Sequence, residues 1–176
     1  MMYALPQIWD INPDMPNVAA EAGSATKAAD KTCPPTCICD LSRHQNSVTV
    51  VRWSKDGKLL ASGDIDSVVI VWHYVDSGEA VPDIFGDSGD GDESSSVPSE
   101  SWSQLRVLRG HLQDVTSLEF STCNSYLVSC SMDSTAIVFD VKKGTKLKIL
   151  GDHKGWVQGI AWDPLSNFIL TIASDR

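Results

Sequence analysis

Three histidines in this chain keep the same company. His44, His111 and His153 are each followed, 18 residues on, by a hydroxyl residue (Ser62, Ser129, Thr171) and, 22 residues on, by an aspartate (Asp66, Asp133, Asp175). A hydroxyl, an imidazole and a carboxylate are the parts of a nucleophilic triad. The carboxylate orients the ring, the ring takes the hydroxyl proton, and the freed oxygen attacks an acyl carbon. An enzyme needs that set once, whereas here it recurs with every histidine. The G-x-S-x-G turn that would present a serine at the end of a strand is absent from the sequence. The trios are therefore read as structural groups, with no catalytic residue assigned.

The elements that must position them follow from the neighbouring apolar pattern. A valine lies four residues after each histidine, at Val48, Val115 and Val157, and an aromatic lies 28 after the first two, at Trp72 and Phe139. Val48–Trp53, Leu59–Ser62 and Val68–Trp72 are short apolar runs, with Lys55-Asp56-Gly57 between the first two. Asp-Gly between apolar runs signals a hairpin, and a run apolar throughout is a strand buried on both faces. The same succession follows His111, with strands at Val115–Phe120, Leu127–Ser129 and Ala136–Phe139. Segments around Ile38–Leu41, Leu105–Leu108 and Leu147–Leu150 precede the three histidines at matching offsets and are read as outer strands.

The repeated unit resembles the WD repeat, a four-stranded blade of a β-propeller that opens on Gly-His and closes on Trp-Asp. Gly110-His111 carries the opening, Trp9-Asp10 an intact closing, and Trp72-His73 and Phe139-Asp140 degenerate closings. That resemblance implies a hydrogen-bonded relay in each blade. Its members are His44, Ser62, Asp66 and Trp72, then His111, Ser129 and Asp133, then His153, Thr171 and Asp175. Phe139 has no indole N–H, so the second relay should stop at its serine. The expected fold is all-β, a partial propeller of about three to four blades where a complete ring has about seven of 40–45 residues each. The chain, of 176 residues, is read as cut at both ends of such a ring.

Six stretches follow from the repeat. Residues 1–12 are a remnant strand of a preceding blade and 13–37 an irregular connector. Residues 38–74 form a blade, 75–103 an acidic insertion, 104–141 a second blade, and 142–176 an incomplete third. The insertion explains why His44 and His111 stand 67 residues apart while His111 and His153 stand 42 apart. From Leu59 to Leu105 there are ten carboxylates and no Lys or Arg, so the net charge of −9 is one local feature. Without a basic stripe, a nucleic-acid surface is not expected. Asp87, Asp90 and Asp92 do not match a calcium-loop ladder. The five cysteines are odd in number and the amino terminus lacks a secretory pattern, so a reducing compartment is the simplest reading. Cys33, Cys37 and Cys39 lack the second pair that a zinc site uses, and no metal or other cofactor is expected. No apolar run reaches membrane-spanning length.

Val48–Trp72, Leu108–Phe120, Met132–Gly144, His153–Leu165 and the terminal Ser174-Asp175-Arg176 together resemble, in order, the propeller of the middle subunit of chromatin assembly factor 1. The histone regulator A family is the nearest rival, sharing Val51–Ser54, Leu60–Gly63 and Trp162–Pro164. The first resemblance implies a nuclear, non-catalytic scaffold that helps deliver core histones to DNA during replication and repair, in complex with a large and a small subunit. A replication-independent chaperone role is the alternative. A ubiquitin-ligase substrate receptor is another, weakened because no Arg stands two residues after either Trp9-Asp10 or Phe139-Asp140. Two surfaces are candidates for binding. One is the loops after each histidine, with Asp114 and the aromatic Trp156. The other is the acidic insertion, where Asp87, Asp90, Asp92 and Glu93 could speed encounter with a basic histone complex.

Overall fold

The structure is a computed structural model that describes residues 6–10, 36–75 and 101–175. Twelve strands and no helix occur among them: β1 (Gln7–Asp10), β2 (Thr36–Asp40), β3 (Val48–Trp53), β4 (Leu59–Asp64), β5 (Val68–Val75), β6 (Ser101–Arg109), β7 (Val115–Phe120), β8 (Tyr126–Ser131), β9 (Ala136–Asp140), β10 (Thr145–Leu150), β11 (Val157–Trp162) and β12 (Ile169–Ala173). They form two four-stranded sheets, β3-β4-β5-β6 and β7-β8-β9-β10, flanked by the two-stranded sheets β1-β2 and β11-β12. Every pairing is antiparallel. This is the all-β, partial propeller architecture that the repeat spacing implied.

Local chemistry sets each sheet. Gly57 closes the β3–β4 hairpin at φ 71, a left-handed backbone that a glycine adopts without the cost of a Cβ. β5 is buried along Val69–Trp72, which is why its sequence is apolar without alternation. Three apolar seams then join the sheets. Leu41, Leu60, Ile70 and Trp72 lie between β1-β2 and its neighbour. Val50, Val71, Val115, Leu118, Phe120 and Phe139 belong to the central seam. Val128, Cys130, Ala136 and Val157 meet β11.

The repeat boundaries and the hydrogen-bonded sheets are offset by one strand. Leu105–Arg109 aligns in sequence with the unit that starts at His111, yet β6 pairs with β5 from Val68 opposite Arg109 to Val75 opposite Ser101. Likewise β10 pairs with β9 and β2 with β1. Boundaries drawn at residues 38, 104 and 142 therefore each assign an outer strand to the unit that follows it, not to the sheet it completes. The acidic insertion sits between the third and fourth strands of one sheet, with the pairing resuming two residues earlier than residue 103.

Candidate functional site

The first trio sits inside the β3–β6 sheet. β4 carries Ser62 and Asp64, β5 carries Trp72, and the loop before β3 carries His44. His44 Nδ1 lies 2.6 Å from Asp64 Oδ2 and its Nε2 lies 2.6 Å from Ser62 Oγ. The Trp72 indole donates to Ser62 Oγ at 2.8 Å. An ionised carboxylate only accepts, so Nδ1 carries the ring proton, Nε2 accepts from the serine hydroxyl, and the serine accepts from the indole. Direction is thus unbroken from Trp72 through Ser62 and His44 to Asp64.

The sequence offset named Asp66 for this role, and the structure corrects it. Asp66 accepts from Asn46 Nδ2 at 2.6 Å in an exposed position. Asp64 takes the histidine with Oδ2, while its Oδ1 accepts the backbone N–H of Asp66 and of Val68. In the β7–β10 sheet those duties are divided. Ser131 accepts the N–H of Asp133, and Asp133 takes both the N–H of Thr135 and the histidine. A carboxylate two residues upstream, at the end of β4, reaches the ring first and displaces the one at the repeat offset.

The second trio keeps the offset residues: His111 Nδ1 is 2.9 Å from Asp133 and Nε2 is 2.7 Å from Ser129 Oγ. Phe139 occupies the place of Trp72, and Ser129 receives no indole. In the third, His153 lies 2.9 Å from Asp175 and 2.8 Å from Thr171. Burial separates the three: the histidine and aspartate side chains are 0% and 3% exposed in the first, 1% and 7% in the second, 27% and 25% in the third.

The donor polarity matches that of a hydrolytic triad, but access does not. Ser62 and Ser129 are both 0% exposed. A cleft lined by Arg43, His44, Asp64, Gln104 and Arg109 opens above the first trio, and Ser62 is not among its lining residues. The Ser62 oxygen is already committed to Trp72 and His44. An acyl substrate would have no approach to that oxygen.

Asp133 shows how these networks stabilise charge. Burial works to raise its carboxyl, but donors from the Thr135 hydroxyl, the Leu112 N–H and His111 outweigh burial and hold it below the ordinary 3.8. A carboxyl depressed in the folded state contributes stability that is complete above its unfolded value and disappears as pH falls through the folded one. Asp133→Asn should therefore lower the unfolding midpoint at neutral pH. In thermal melts its deficit against the parent chain should shrink below about pH 4.

The cysteines fall into different environments. Cys130 is buried between β8 and β11, and desolvation with the Asp133 charge pushes its thiol up to about 12. Cys123 is exposed in the β7–β8 turn, where the Ser121 hydroxyl 3.4 Å away and the neighbouring Ser125 bring it down to about 7. Among the described residues, no group of three or more His, Cys, Asp or Glu side chains is placed to hold a metal ion. Cys33 lies outside those residues.

Of the candidate partner-binding residues, Trp156 is 56% exposed on the loop before β11. Asp114 is half-buried and its carbonyl accepts the Met132 N–H. Leu112, which sequence reasoning did not single out, is 87% exposed on the matching loop of the second unit. Its N–H is fastened to Asp133 at 2.9 Å, so an apolar side chain is held out to solvent on a pinned backbone. Asp87, Asp90, Asp92 and Glu93 lie outside the described residues.

Also missed were two threonines one position past the repeat valines. Thr49 donates to the carbonyl of Val115 in the next sheet, and Thr116 does the same to Val157. Their recurrence five residues after His44 and His111 was the available signal.

Residues 24–176 match the family model described as the CAF1B/HIR1 β-propeller domain. The chain belongs to this family. It is 39% identical over 160 residues to a chromatin assembly factor 1 subunit of Gallus gallus, covering 91% of this chain and 28% of that protein. It is 40% identical over 139 residues to the like-named subunit of Mus musculus, covering 79% and 24%. The HIR1 protein of Mycosarcoma maydis is 36% identical over 139 residues, 79% of this chain and 13% of that one. The chain thus spans about a quarter of the chromatin assembly factor relatives.

Proposed function

We propose that this chain is a non-catalytic WD-repeat scaffold of a histone chaperone complex in the nucleus, supporting nucleosome assembly coupled to replication and repair. Its partners on this reading are core histones and the large and small subunits of a chromatin assembly complex. Membership of the CAF1B/HIR1 propeller family carries the reading. The 39% and 40% identities to subunits named for chromatin assembly factor 1, against 36% to a HIR1 protein, favour the first branch. The replication-independent chaperone is the second reading, since one family model spans both. The serine hydroxyls are closed off in the interior, which supports a role without chemistry, and Trp156 is an exposed aromatic of the kind that dominates binding surfaces, with Leu112 exposed on the matching loop.

Capture from nuclear extract on the tagged chain tests this. Recovery of core histones with a large assembly subunit supports it. Recovery of a ubiquitin-ligase adaptor without histones would replace it with the substrate-receptor alternative.

The segment 76–100 carries eight carboxylates and no Lys or Arg. Because Val75 stands opposite Ser101, the segment can be replaced by a short glycine-containing turn without breaking the β5–β6 register. That replacement should weaken histone capture several-fold at low salt and leave it near the parent level at high salt, where screening removes the steering advantage. Equal capture at low salt would make the segment a spacer.

A further inference from the structure

Cations that are scattered in the sequence meet on the outer rim of the two complete sheets. β6 is the fourth strand of one sheet and β10 the fourth strand of the other. Arg106 on β6 reaches across to the turn before β10, its Nε and Nη2 donating to the Lys142 carbonyl at 3.2 and 3.0 Å. Lys143 stands beside it in the same turn. Further along, Lys146 on β10 lies over the end of β6. A Cβ built on Gly110 would stand 2.8 Å from the Lys146 Cδ and 3.2 Å from its Nζ.

Arg109, next to Gly110, lines the cleft above the first trio, and Arg43 enters that cleft from the loop before β3. Every residue of the lining belongs to the β3–β6 sheet or to the loop that leads into it. The cleft has a volume of 140 Å³ and is apolar at Val68, Ile70 and Val107. Both carboxylates in the lining already have donors. Asp64 holds His44 and two backbone N–H groups, and Asp66 holds Asn46. The arginines have no carboxylate: ion pairs among the described residues are limited to the three histidine–aspartate pairs. All six cations are exposed. Val107 and Ile149, on the same two outer strands, are 38% and 56% exposed.

Exposed cations without counter-charges raise the local potential and draw anions to it. The shape of the cleft decides which anion. Two guanidinium groups take a carboxylate through paired N–H donors, and Val68 and Ile70 give an aliphatic stem a surface to lie on. Val107 and Ile149 offer contacts to apolar side chains, which a phosphodiester backbone lacks. We propose that this rim binds an extended acidic segment of a partner protein. One glutamate sits between Arg43 and Arg109, and further carboxylates meet Lys146, Lys142 and Lys143, with Arg106 adding its charge.

The surface has the wrong sign for a histone, so it goes beyond the scaffold reading and does not depend on histone capture. Fluorescence anisotropy with a labelled peptide that alternates glutamate and valine tests it. The chain should bind this peptide at low salt, more weakly as salt screens the rim, and should ignore a lysine–valine counterpart. Arg43→Glu with Arg109→Glu should lower affinity about tenfold or more, and Lys142→Glu with Lys146→Glu about threefold or more. Arg43→Lys with Arg109→Lys should recover part of the first loss, since the charge returns without the paired donors. Arg52→Glu with Lys58→Glu makes the same change in charge elsewhere on the β3–β6 sheet and should stay within about twofold of the parent. The form with 76–100 replaced lacks the chain's own eight carboxylates as competitors and should bind at least as tightly. Peptide binding by neither form, or an equal loss in the Arg52→Glu, Lys58→Glu chain, would overturn the proposal. So would tighter capture of a DNA duplex than of the peptide, which would make the rim a phosphodiester surface.

Discussion

Ser62→Ala should be the most damaging small substitution in the β3–β6 sheet. It removes one hydroxyl but strands two buried groups, the Trp72 indole N–H and His44 Nε2. Each buried orphan costs about 1–3 kcal/mol, so the loss should be about 2–6 kcal/mol, a fall of at least roughly 4 °C in thermal midpoint for a chain of 176 residues. Ser129→Ala makes the internal comparison. Its hydroxyl serves His111 alone because Phe139 stands where Trp72 does. One orphan is left, and the cost should be about half. Adding Trp72→Phe to Ser62→Ala should be less than additive, because one of the groups left unpaired is then gone. Thermal melts of the four variants check all three statements. Equal losses for Ser62→Ala and Ser129→Ala would show that the indole contributes nothing.

Gly63→Ala is the second large effect, and it acts across the seam between sheets. An added Cβ would sit 2.6 Å from Val115 Cγ1, 2.9 Å from Val115 Cβ and 3.1 Å from Val50 Cγ1. Val115 is fully buried at the head of β7, and its Cβ is fixed by the backbone, so it cannot swing clear as a long side chain would. Overpacking of this kind costs about 1–3 kcal/mol. Val115→Ala should relieve the clash, making the double variant more stable than Gly63→Ala alone. The same clash would press on the Thr49 bond to the Val115 carbonyl, so hydrogen exchange should quicken at the β3–β7 seam before it does in β8 and β9. Denaturant midpoints for the two single variants and the double variant test the coupling.

Much of this was legible because the repeat is written in residue types that hydrogen bonding requires. The histidine and the hydroxyl of each unit, and the aromatic of the first two, sit at constant offsets since strand lengths and hairpins hold them there. His111, Ser129 and Asp133 meet as the offsets imply. The aspartate of the first unit was not legible. Offset counting cannot weigh Asp64 against Asp66, and only geometry shows that Asp64, at the end of β4, reaches both the ring and two backbone N–H groups. The outer strands were legible as strands but not as members of a sheet, because the repeat starts at the histidine while the hydrogen bonding continues past it into β6 and β10. The inter-sheet threonines were missed for a different reason. Thr49 and Thr116 look like ordinary strand residues until the next sheet brings a carbonyl to them. The loop after His111 was legible as a binding face, but Leu112 was not singled out within it, although it is the most exposed large apolar side chain among the described residues.

The central claim is that the recurring hydroxyl–imidazole–carboxylate sets hold strands together in a docking scaffold and do no chemistry. Treating the folded chain with a serine-directed phosphonate and mapping adducts by mass spectrometry tests it most directly. The account predicts no adduct at Ser62 or Ser129, whose oxygens are sealed and already hydrogen-bonded. Stoichiometric labelling of either serine in the folded chain, abolished by replacing His44 or His111, would contradict it.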